Sequence, residues 1–225
     1  MIFNTNSNIF KLYFFPLHLK LMPISVQEEQ WKKSLSERHK FEFHFSRGYA
    51  RFVLSKILDL DPMLVPLIAE PKKPPLLKEG YGNISISHCN DALIIGWSKR
   101  KIGIDIESNN RSLDTNRISK YLLSKEENSY CKSNDYQTFR DKFLSIWVRK
   151  EALVKLDHGK IIRDFKDWNI DFFNNVASSQ YKLKPIPVKY MRYKTWSIGI
   201  ASEYPFNENV ILIDFNENKN FDSIL

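Results

Sequence analysis

The order of the elements predicted along the chain indicates an α+β fold made of two halves that meet near residue 100. A strand, two helices and a group of strands come first, and a strand, two helices and a larger group of strands follow. Because helices precede groups of strands and do not alternate with single strands, a parallel doubly wound sheet is disfavoured. Only 7 of the 225 residues are glycine, and neither GxGxxG nor a Walker A sequence occurs, so dinucleotide-binding and P-loop folds lose their main support.

The first half is expected to span residues 1–100. Its polar, Asn-rich start, residues 1–8, is typical of a frayed terminus. Ser25 and Glu28 have the spacing of a helix capping box, and apolar residues at helical spacing follow from Phe41. The predicted elements of this half are a strand at 10–15, helices at 25–38 and 41–58, and strands at 83–86 and 92–98.

The second half begins with the strand of clearest alternation. Ile102, Ile104 and Ile106 share one face, and Asp105 and Glu107 lie on the other. The predicted elements of this half, which spans 101–225, are a strand at 101–107, helices at 114–132 and 136–156, strands at 168–172, 180–183, 194–201 and 210–215, and a frayed end at 216–225.

The net charge of +8, from 34 basic and 26 acidic residues, indicates an anionic partner or serves solubility alone. The basic residues are spread along the chain, and no basic block is interleaved with aromatic residues. A nucleic-acid-binding module is therefore the weaker alternative, and no nucleic-acid partner is expected.

A cytoplasmic location is expected from the cysteines, because Cys89 and Cys131 form neither a CxxC pair nor a metal-ligand spacing. The apolar stretch at 9–22 is interrupted by lysines and split by Pro16, so we expect a structural first strand there and not a targeting segment. No run approaches the ~18 apolar residues of a membrane span, so no membrane partner is expected.

Asp105 and Glu107 form the first group that can carry chemistry. Two residues apart on a strand, their carboxylates project from the same face and can share a hard cation such as Mg²⁺, which prefers oxygen ligands. The alternative, from this pattern alone, is an ordinary strand with a solvated polar face.

Trp147, Glu151 and Lys155 form the second group, at i, i+4 and i+8 on one face of a helix. This group can supply another carboxylate for the metal, or a base, beside a cation for phosphate. The alternative is a surface helix with a common Glu–Lys pair.

The third group lies in Ser85–Cys89, where a hydroxyl and an imidazole near a strand end can reach a phosphate. The alternative is a plain hairpin turn at Asn90–Asp91. A serine hydrolase is disfavoured because GxSxG is absent, and a zinc protease because the histidines lack HExxH spacing.

The order and spacing of these groups resemble those of the Sfp-type 4′-phosphopantetheinyl transferases. The chain carries SISH, then GIDIE about fifteen residues later, then WVRKEALVK about forty residues further on. Supporting matches are Lys73-Pro74, the helix FSRGYARFVLSK with Arg47 and Arg51, and LSKEE, which aligns Glu127. The likeness covers about residues 10–215.

Two departures from the family pattern concern the site. Cys89 stands where the pattern has the second serine of SHS, and cysteine is the weaker hydrogen bonder. The turn after Lys155 reads His158-Gly159-Lys160 in place of a GxG-like sequence.

The resemblance implies a pseudo-dimer of two similar α+β halves, with the active site in the cleft between them. It implies a monomeric, Mg²⁺-dependent transferase, in which Mn²⁺ can replace Mg²⁺. This enzyme moves the 4′-phosphopantetheine group from coenzyme A to a serine of an acidic acyl- or peptidyl-carrier protein and releases 3′,5′-ADP. A catalytically weakened member that still binds coenzyme A is the alternative within the family.

The resemblance also implies roles for residues of this chain. The metal ligands are Asp105, Glu107 and Glu151, and the catalytic residues are Glu151, as the base, and Lys155, which contacts phosphate. The alternative for Arg51 is a structural role in its helix, and Trp147 is expected to pack beneath the site. The expected coenzyme A contacts are Arg47, Arg51, Lys73, Ser87, His88 and Lys155.

Overall fold

The structure, a computed structural model, describes residues 10–158, 165–206 and 210–215. The frayed ends predicted at 1–8 and 216–225 lie outside the described residues. The helices are α1 (Val26–Lys33), α2 (Glu37–Leu58), α3 (Thr115–Leu122), α4 (Lys125–Cys131) and α5 (Tyr136–Leu156), and a 3₁₀ turn covers Phe165–Asp167. The strands are β1 (Phe10–Pro16), β2 (Leu67–Ile68), β3 (Leu76–Leu77), β4 (Asn83–His88), β5 (Ala92–Ser98), β6 (Ile102–Ser108), β7 (Asn169–Asp171), β8 (Val176–Ser178), β9 (Ile186–Tyr193), β10 (Trp196–Ser202) and β11 (Val210–Asp214).

The α+β class is confirmed. Across the described ranges, no helix is long and apolar enough to cross a membrane. The predicted boundaries of α5 and β5 agree with the structure, and the predicted first strand agrees to one residue.

Three of the four predicted helices are wrong in their extent. The helix predicted at 25–38 starts with the expected capping box at Ser25 but ends at Lys33. The helix predicted at 41–58 is α2, which begins earlier, at Glu37. The helix predicted at 114–132 is two helices, because Ser124 and Glu127 form a second capping box that starts α4.

The strand predicted at 180–183 is also wrong. These residues form a loop in which Tyr181 and Leu183 are exposed, so their side chains have no core to bury. The strands of this region are β8 and β9, which pair in an antiparallel way on either side of the loop.

Two sheets form the centre of the molecule. The first has the strand order β11-β1-β5-β4, and the second has the order β6-β10-β9-β8-β7. Strand β11 runs parallel to β1, with Val210 beside Phe10, whereas β5 pairs antiparallel with β1 on one side and with β4 on the other. The last strand of residues 101–225 therefore belongs to the sheet of residues 1–100.

The sheets pack face to face, and a long helix covers the outer face of each. Helix α2 packs on the first sheet, where Tyr49 contacts Phe15 and Phe45 contacts Tyr49. Helix α5 packs on the second sheet. Burial of these apolar faces makes four layers: helix, sheet, sheet and helix. The core between the sheets contains Leu12, Phe14, Ala92, Ile94, Ile102, Ile104, Ile106, Ile198 and Ile200.

The two halves use the same arrangement of elements. A strand, a long helix and a hairpin follow one another as β1, α2 and β4–β5, and again as β6, α5 and β9–β10. In each sheet the second hairpin strand lies beside the first strand, which gives the orders β1-β5-β4 and β6-β10-β9. This repetition supports the expected pseudo-dimer, which stays a prediction.

Candidate active site

Strand β6 carries the predicted acidic pair on its face toward α5. Asp105 and Glu107 are only 6% and 5% exposed, so the alternative of a solvated polar face is wrong. The isoleucines of the opposite face lie in the core between the sheets, as the alternation predicted. The strand is therefore buried on both faces, although one face carries carboxylates.

Two glycines allow α5 to lie directly on the second sheet. A Cβ atom on Gly103 would lie 1.9 Å from the carbonyl oxygen of Ala152, and one on Gly199 would lie 2.1 Å from that of Val148. Such distances are far shorter than van der Waals contact, so only glycine fits at both positions. This close approach brings the Glu151 and Lys155 side of α5 beside the acidic face of β6.

Lys155 connects the helix, the acidic strand and the first half. Its Nζ lies 2.6 Å from Oδ1 of Asp105 and donates to Oγ of Ser87 at 2.7 Å. The Ser87 hydroxyl in turn donates to the same Asp105 oxygen at 2.7 Å. The Lys155 side chain is 29% exposed, so this cluster opens to solvent through the lysine.

Glu151 is buried beside these groups, and their charges shift the pKa of its carboxyl. Burial raises the pKa of its carboxyl to about 8, and the negative charges of Asp105 and Glu107 add to the rise. The cations Lys155 and Arg111 oppose it. The three predicted metal ligands therefore lie in one electrostatic cluster.

Arg111 is a member of this cluster that the sequence analysis missed. Its guanidinium forms an ion pair with Glu107, which also accepts a hydrogen bond from the backbone N–H of Ser108 at 2.9 Å. Arg140 of α5 donates to the carbonyl oxygen of Arg111. Arg111 lies in the loop after β6, where no periodicity could predict the direction of a side chain.

The chemistry of the cluster fits a hard divalent cation, although the carboxylates do not form a ready-made site. Among the described residues no group of three or more His, Cys, Asp or Glu side chains is arranged to hold a metal. Asp105 and Glu107 are instead engaged by Lys155 and Arg111. Oxygen ligands suit Mg²⁺, and the pKa of Glu151 is raised by burial and further by the negative charges of Asp105 and Glu107, so the three carboxylates lie close enough to share a cation.

Strand β4 joins the first half to the cluster through two serines. The Oγ atoms of Ser85 and Ser87 accept hydrogen bonds from the backbone N–H groups of Ile104 and Ile106, at 3.0 and 3.3 Å. These two N–H groups belong to β6, an edge strand of the second sheet. The serines thus satisfy edge donors that would otherwise stay unpaired, which is a structural role in addition to the one predicted for Ser87.

His88 ends β4 on the first-half side of Lys155. His88 is exposed at its surface, yet the protein packed around the imidazole lowers its pKa, and the charge of Glu42 opposes this shift. Lys155 and Arg47 lower the pKa further through their positive charges. His88 therefore lies within electrostatic reach of a cation from each half.

Arg47 and Lys73 meet at one loop of the first half. Arg47 Nε donates to the carbonyl oxygen of Ala69 at 3.0 Å, and Nη2 donates to that of Glu70 at 3.5 Å. The ammonium of Lys73 lies 2.6 Å from the Glu70 carboxylate, and its side chain is 67% exposed. Burial lowers the pKa of Arg47 to about 10, so it remains a cation at neutral pH.

Arg51 lies in a different environment from Arg47. Its Nε lies 2.6 Å from the carboxylate of Glu28, and Nη1 donates to the carbonyl oxygens of Pro62 and Val65. The ion pair is buried. The structure therefore favours the structural alternative that the sequence left open for Arg51.

Trp147 has the packing role that was expected. Its ring centroid lies 5.8 Å from that of Phe143 and 5.3 Å from that of Phe165, within the core of the second half. The indole therefore packs against the core of the second half and helps to hold α5 in place.

The two departures from the family pattern have different outcomes. The Cys89 thiol donates a weak hydrogen bond to Asp91 at 3.5 Å and packs against the core between the sheets. Burial raises its pKa to about 12, so it remains a neutral thiol. Gly159 and Lys160 lie outside the described residues.

Residues 101–207 match the model of the 4′-phosphopantetheinyl transferase superfamily. The matched range contains the three carboxylates and Lys155, whereas Arg47, Lys73, Ser87 and His88 precede it. No curated protein matches the chain.

Proposed function

Because residues 101–207 match the 4′-phosphopantetheinyl transferase superfamily, we propose that the chain is a transferase of this class. The proposed reaction moves 4′-phosphopantetheine from coenzyme A to a serine of an acyl- or peptidyl-carrier protein. The observation that carries the proposal is the cluster of buried acids beside Lys155. It joins Asp105 and Glu107 of β6 to Glu151 of α5, and it contacts Ser87 of the first half.

In the proposed reaction, the serine Oγ of the carrier attacks the phosphorus that bears the pantetheine arm. A new P–O bond forms while the bond to the bridging oxygen breaks, and 3′,5′-ADP leaves with that oxygen. Positioning and charge neutralisation dominate such displacements. The transferred serine proton goes to the carboxylate of Glu151, which belongs to the same cluster as Asp105, Glu107 and Lys155.

Asp105, Glu107 and Glu151 are the proposed ligands of Mg²⁺ or Mn²⁺. When bound, the metal would supply positive charge for the pyrophosphate oxygens. Lys155 supplies a second positive charge, because its ammonium already lies at Asp105 and its side chain reaches solvent. Opening the ion pairs to Lys155 and Arg111 frees both carboxylates of β6 for the cation.

The basic residues of the first half are the proposed contacts for coenzyme A. His88 lies within electrostatic reach of Lys155 and Arg47, and Arg47 and Lys73 both contact Glu70. Cations and an imidazole suit the anionic phosphates of coenzyme A. Ser87, which already contacts Lys155, completes the set. Arg51 is left out because its donors are engaged inside the protein.

The net charge of +8 supports an acidic carrier protein as the second substrate. Both cysteines are free, which supports a reducing compartment, and we place the reaction in the cytoplasm. We propose that a monomer is the active form, because both halves of the proposed site come from one chain.

A panel of apo-carrier proteins tests the proposed reaction. Each carrier is incubated with the protein, coenzyme A and Mg²⁺, and its intact mass is measured. We expect one phosphopantetheine to be added to at least one carrier, and none to the same carrier with its serine replaced by alanine. Coenzyme A binding without any mass gain would favour the catalytically weakened alternative, and the absence of both would contradict the proposal.

A further inference from the structure

We propose that the second half holds a separate pocket for a small organic anion, on the side of α5 opposite Glu151. The anion is a carboxylate or a phosphate carried on a flat apolar body, and Arg149 binds its charged group. The inference concerns residues that the proposed transfer reaction does not use, so it stands or falls independently of that reaction.

The pocket lies between α5 and β9 and has a volume of about 870 Å³. This volume is within the range of small-molecule binding sites. Ser145 and Arg149 line it from α5, Lys189 and Tyr190 from β9, and Phe172 and Phe206 from neighbouring loops. Because Arg149 and Glu151 are two residues apart on a helix, they project about 200° apart, so the helix separates this pocket from the acidic cluster.

Arg149 differs from the other deeply buried cations of the described chain. Arg51 is paired with Glu28 and Lys150 with Glu127, at 2.6 and 2.7 Å. Arg149 is only 4% exposed, yet within the described ranges it has no carboxylate at ion-pair distance. Glu127 acts on it through its charge, but that carboxylate is already bound by Lys150. A buried cation without a counter-ion is costly, so a bound anion would stabilise this arrangement.

The guanidinium of Arg149 is held in place by two hydrogen bonds, but not all of its N–H donors have an acceptor among the described residues. Nε donates to the carbonyl oxygen of Ser145 at 2.7 Å, and Nη2 donates to the Ser145 hydroxyl at 3.1 Å. The Cζ atom of Arg149 lies 5.1 Å from the ring centroid of Phe172 and 5.8 Å from that of Tyr190. Among the described residues Nη1 has no acceptor, so one edge of a preorganised guanidinium remains for a ligand.

The remaining charges of the pocket have the same sign. Lys142, Lys189 and Arg192 contribute positive charge to the lining, and Asp141 contributes the one negative charge. Asp141 is bound to Arg192 at 2.9 Å, so it does not neutralise Arg149. The excess of positive charge selects an anion and disfavours a cation.

The apolar part of the lining selects the body of the ligand. Phe172 stacks on Tyr130 with centroids 3.9 Å apart, and Val176, Pro187 and Phe206 supply further apolar surface. Aromatic and aliphatic walls favour a flat apolar group, whereas inorganic phosphate would fill only the charged end.

Calorimetric titration of the whole protein with phenyl phosphate and with benzoate tests the proposal. We expect at least one of them to bind, and the stronger of the two identifies the charged group as phosphate or carboxylate. Benzyl alcohol lacks the charged group and should bind at least about 10-fold more weakly, because a hydrogen bond to a charged group contributes about that factor or more. Inorganic phosphate lacks the apolar body and should also bind at least about 10-fold more weakly, because it buries no apolar surface.

Variants locate the binding site. Arg149→Met should weaken binding about 10- to 100-fold. Lys189→Gln at the edge should weaken it up to about 5-fold, and Lys99→Gln, an exposed lysine of the first half, should not change it. Without a probe, Arg149→Met should melt at or above the wild-type temperature, because it removes an unpaired buried charge. If Arg149→Met does not fold, the site is tested by the other two variants. Weaker binding by Lys189→Gln than by Lys99→Gln would support it, and equal binding would contradict it.

Three results would overturn the proposal. The first is that neither probe binds. The second is that inorganic phosphate binds as tightly as phenyl phosphate. The third is that Arg149→Met and Lys189→Gln both bind like the wild type, while Lys155→Ala loses binding, which would place the probe in the acidic cluster.

Discussion

At the scale of single residues, the acidic cluster is balanced by two cationic side chains. Lys155 neutralises Asp105 and Arg111 neutralises Glu107, while Glu151 keeps a raised pKa of about 8. These cations lower the repulsion between the buried acids, and they also compete with a divalent metal for the same oxygens.

The competition predicts the effect of Arg111→Ala. Removing the guanidinium should strengthen Mn²⁺ binding about 5-fold, the factor that corresponds to about 1 kcal/mol for a partly exposed ion pair. Titration followed by the electron paramagnetic resonance signal of free Mn²⁺ measures the change. Arg38→Ala, which removes an exposed arginine paired with Glu42, is the matched control. Unchanged or weaker Mn²⁺ binding in Arg111→Ala would contradict the competition.

The raised pKa of Glu151 predicts that the stability of the metal-free protein depends on pH. Its folded-state pKa is raised to about 8 from an ordinary value of 4.5, so the native state binds more protons than the unfolded state between these values. The free energy of unfolding should therefore fall as pH rises from about 4.5 to about 8. Glu151→Gln should remove this part of the fall, on the order of a few kcal/mol. Urea unfolding in the presence of EDTA measures the free energy of unfolding of the wild type and of Glu151→Gln over this pH range. The same pH dependence in both proteins would contradict the raised pKa of Glu151.

Residue spacing predicted part of this site and missed another part. Asp105 and Glu107 had to share a strand face, and Glu151 and Lys155 a helix face, because strand and helix periods place them there. Arg111 could not be found in this way, since it lies in a loop. The unpaired state of Arg149 depends on which acid Lys150 binds, a tertiary contact that no local pattern contains.

At the scale of elements, the approach of α5 to the second sheet positions the site. Gly103 and Gly199 allow the contact, and Lys150 fixes the other side of the helix by binding Glu127 and the carbonyl oxygens of Leu122 and Phe165. The sequence predicted the limits of α5 correctly because its apolar pattern is long. The break between α3 and α4 was missed because a capping box interrupts an otherwise helical composition.

Gly103→Ala tests the role of this approach. The added methyl group would meet the backbone of Ala152 and Leu156, which cannot move without shifting α5, so we expect destabilisation of about 3 kcal/mol or more. Gly96→Ala is the control, because its methyl group would meet only side chains, at 3.2 Å or more, and should be tolerated better. Thermal and urea unfolding compare the variants. Equal stability of Gly103→Ala and the wild type would show that the close approach does not matter.

At the scale of the whole molecule, the two halves depend on one another. The core between the sheets takes Leu12, Phe14 and Ile94 from the first sheet and Ile104 and Ile106 from the second. Ser85 and Ser87 join the sheet edges, and β11 returns to the first sheet. Element order predicted the two halves, but the pairing of β11 with β1 joins the two ends of the chain, and local sequence patterns do not report such pairs.

This dependence predicts that residues 101–207 do not fold alone, although they match the family. Without the first half, the isoleucine face of β6 and β10 would be exposed to water. We expect the isolated segment to lack a cooperative unfolding transition by circular dichroism, whereas the whole chain shows one. A cooperative, monomeric fragment would contradict the prediction.

The central claim, that the acidic cluster performs phosphopantetheine transfer, is tested most directly by the mass of an apo-carrier that the wild-type protein modifies. The rate of mass gain is measured over a Mg²⁺ titration for the wild type, Glu107→Gln and Glu79→Gln, an exposed acid that serves as the control. Glu107→Gln should slow transfer by about 100-fold or more, as expected when a transition-state electrostatic contact is lost, and Glu79→Gln should not change it. Transfer by Glu107→Gln at the wild-type rate at every Mg²⁺ concentration would contradict the claim.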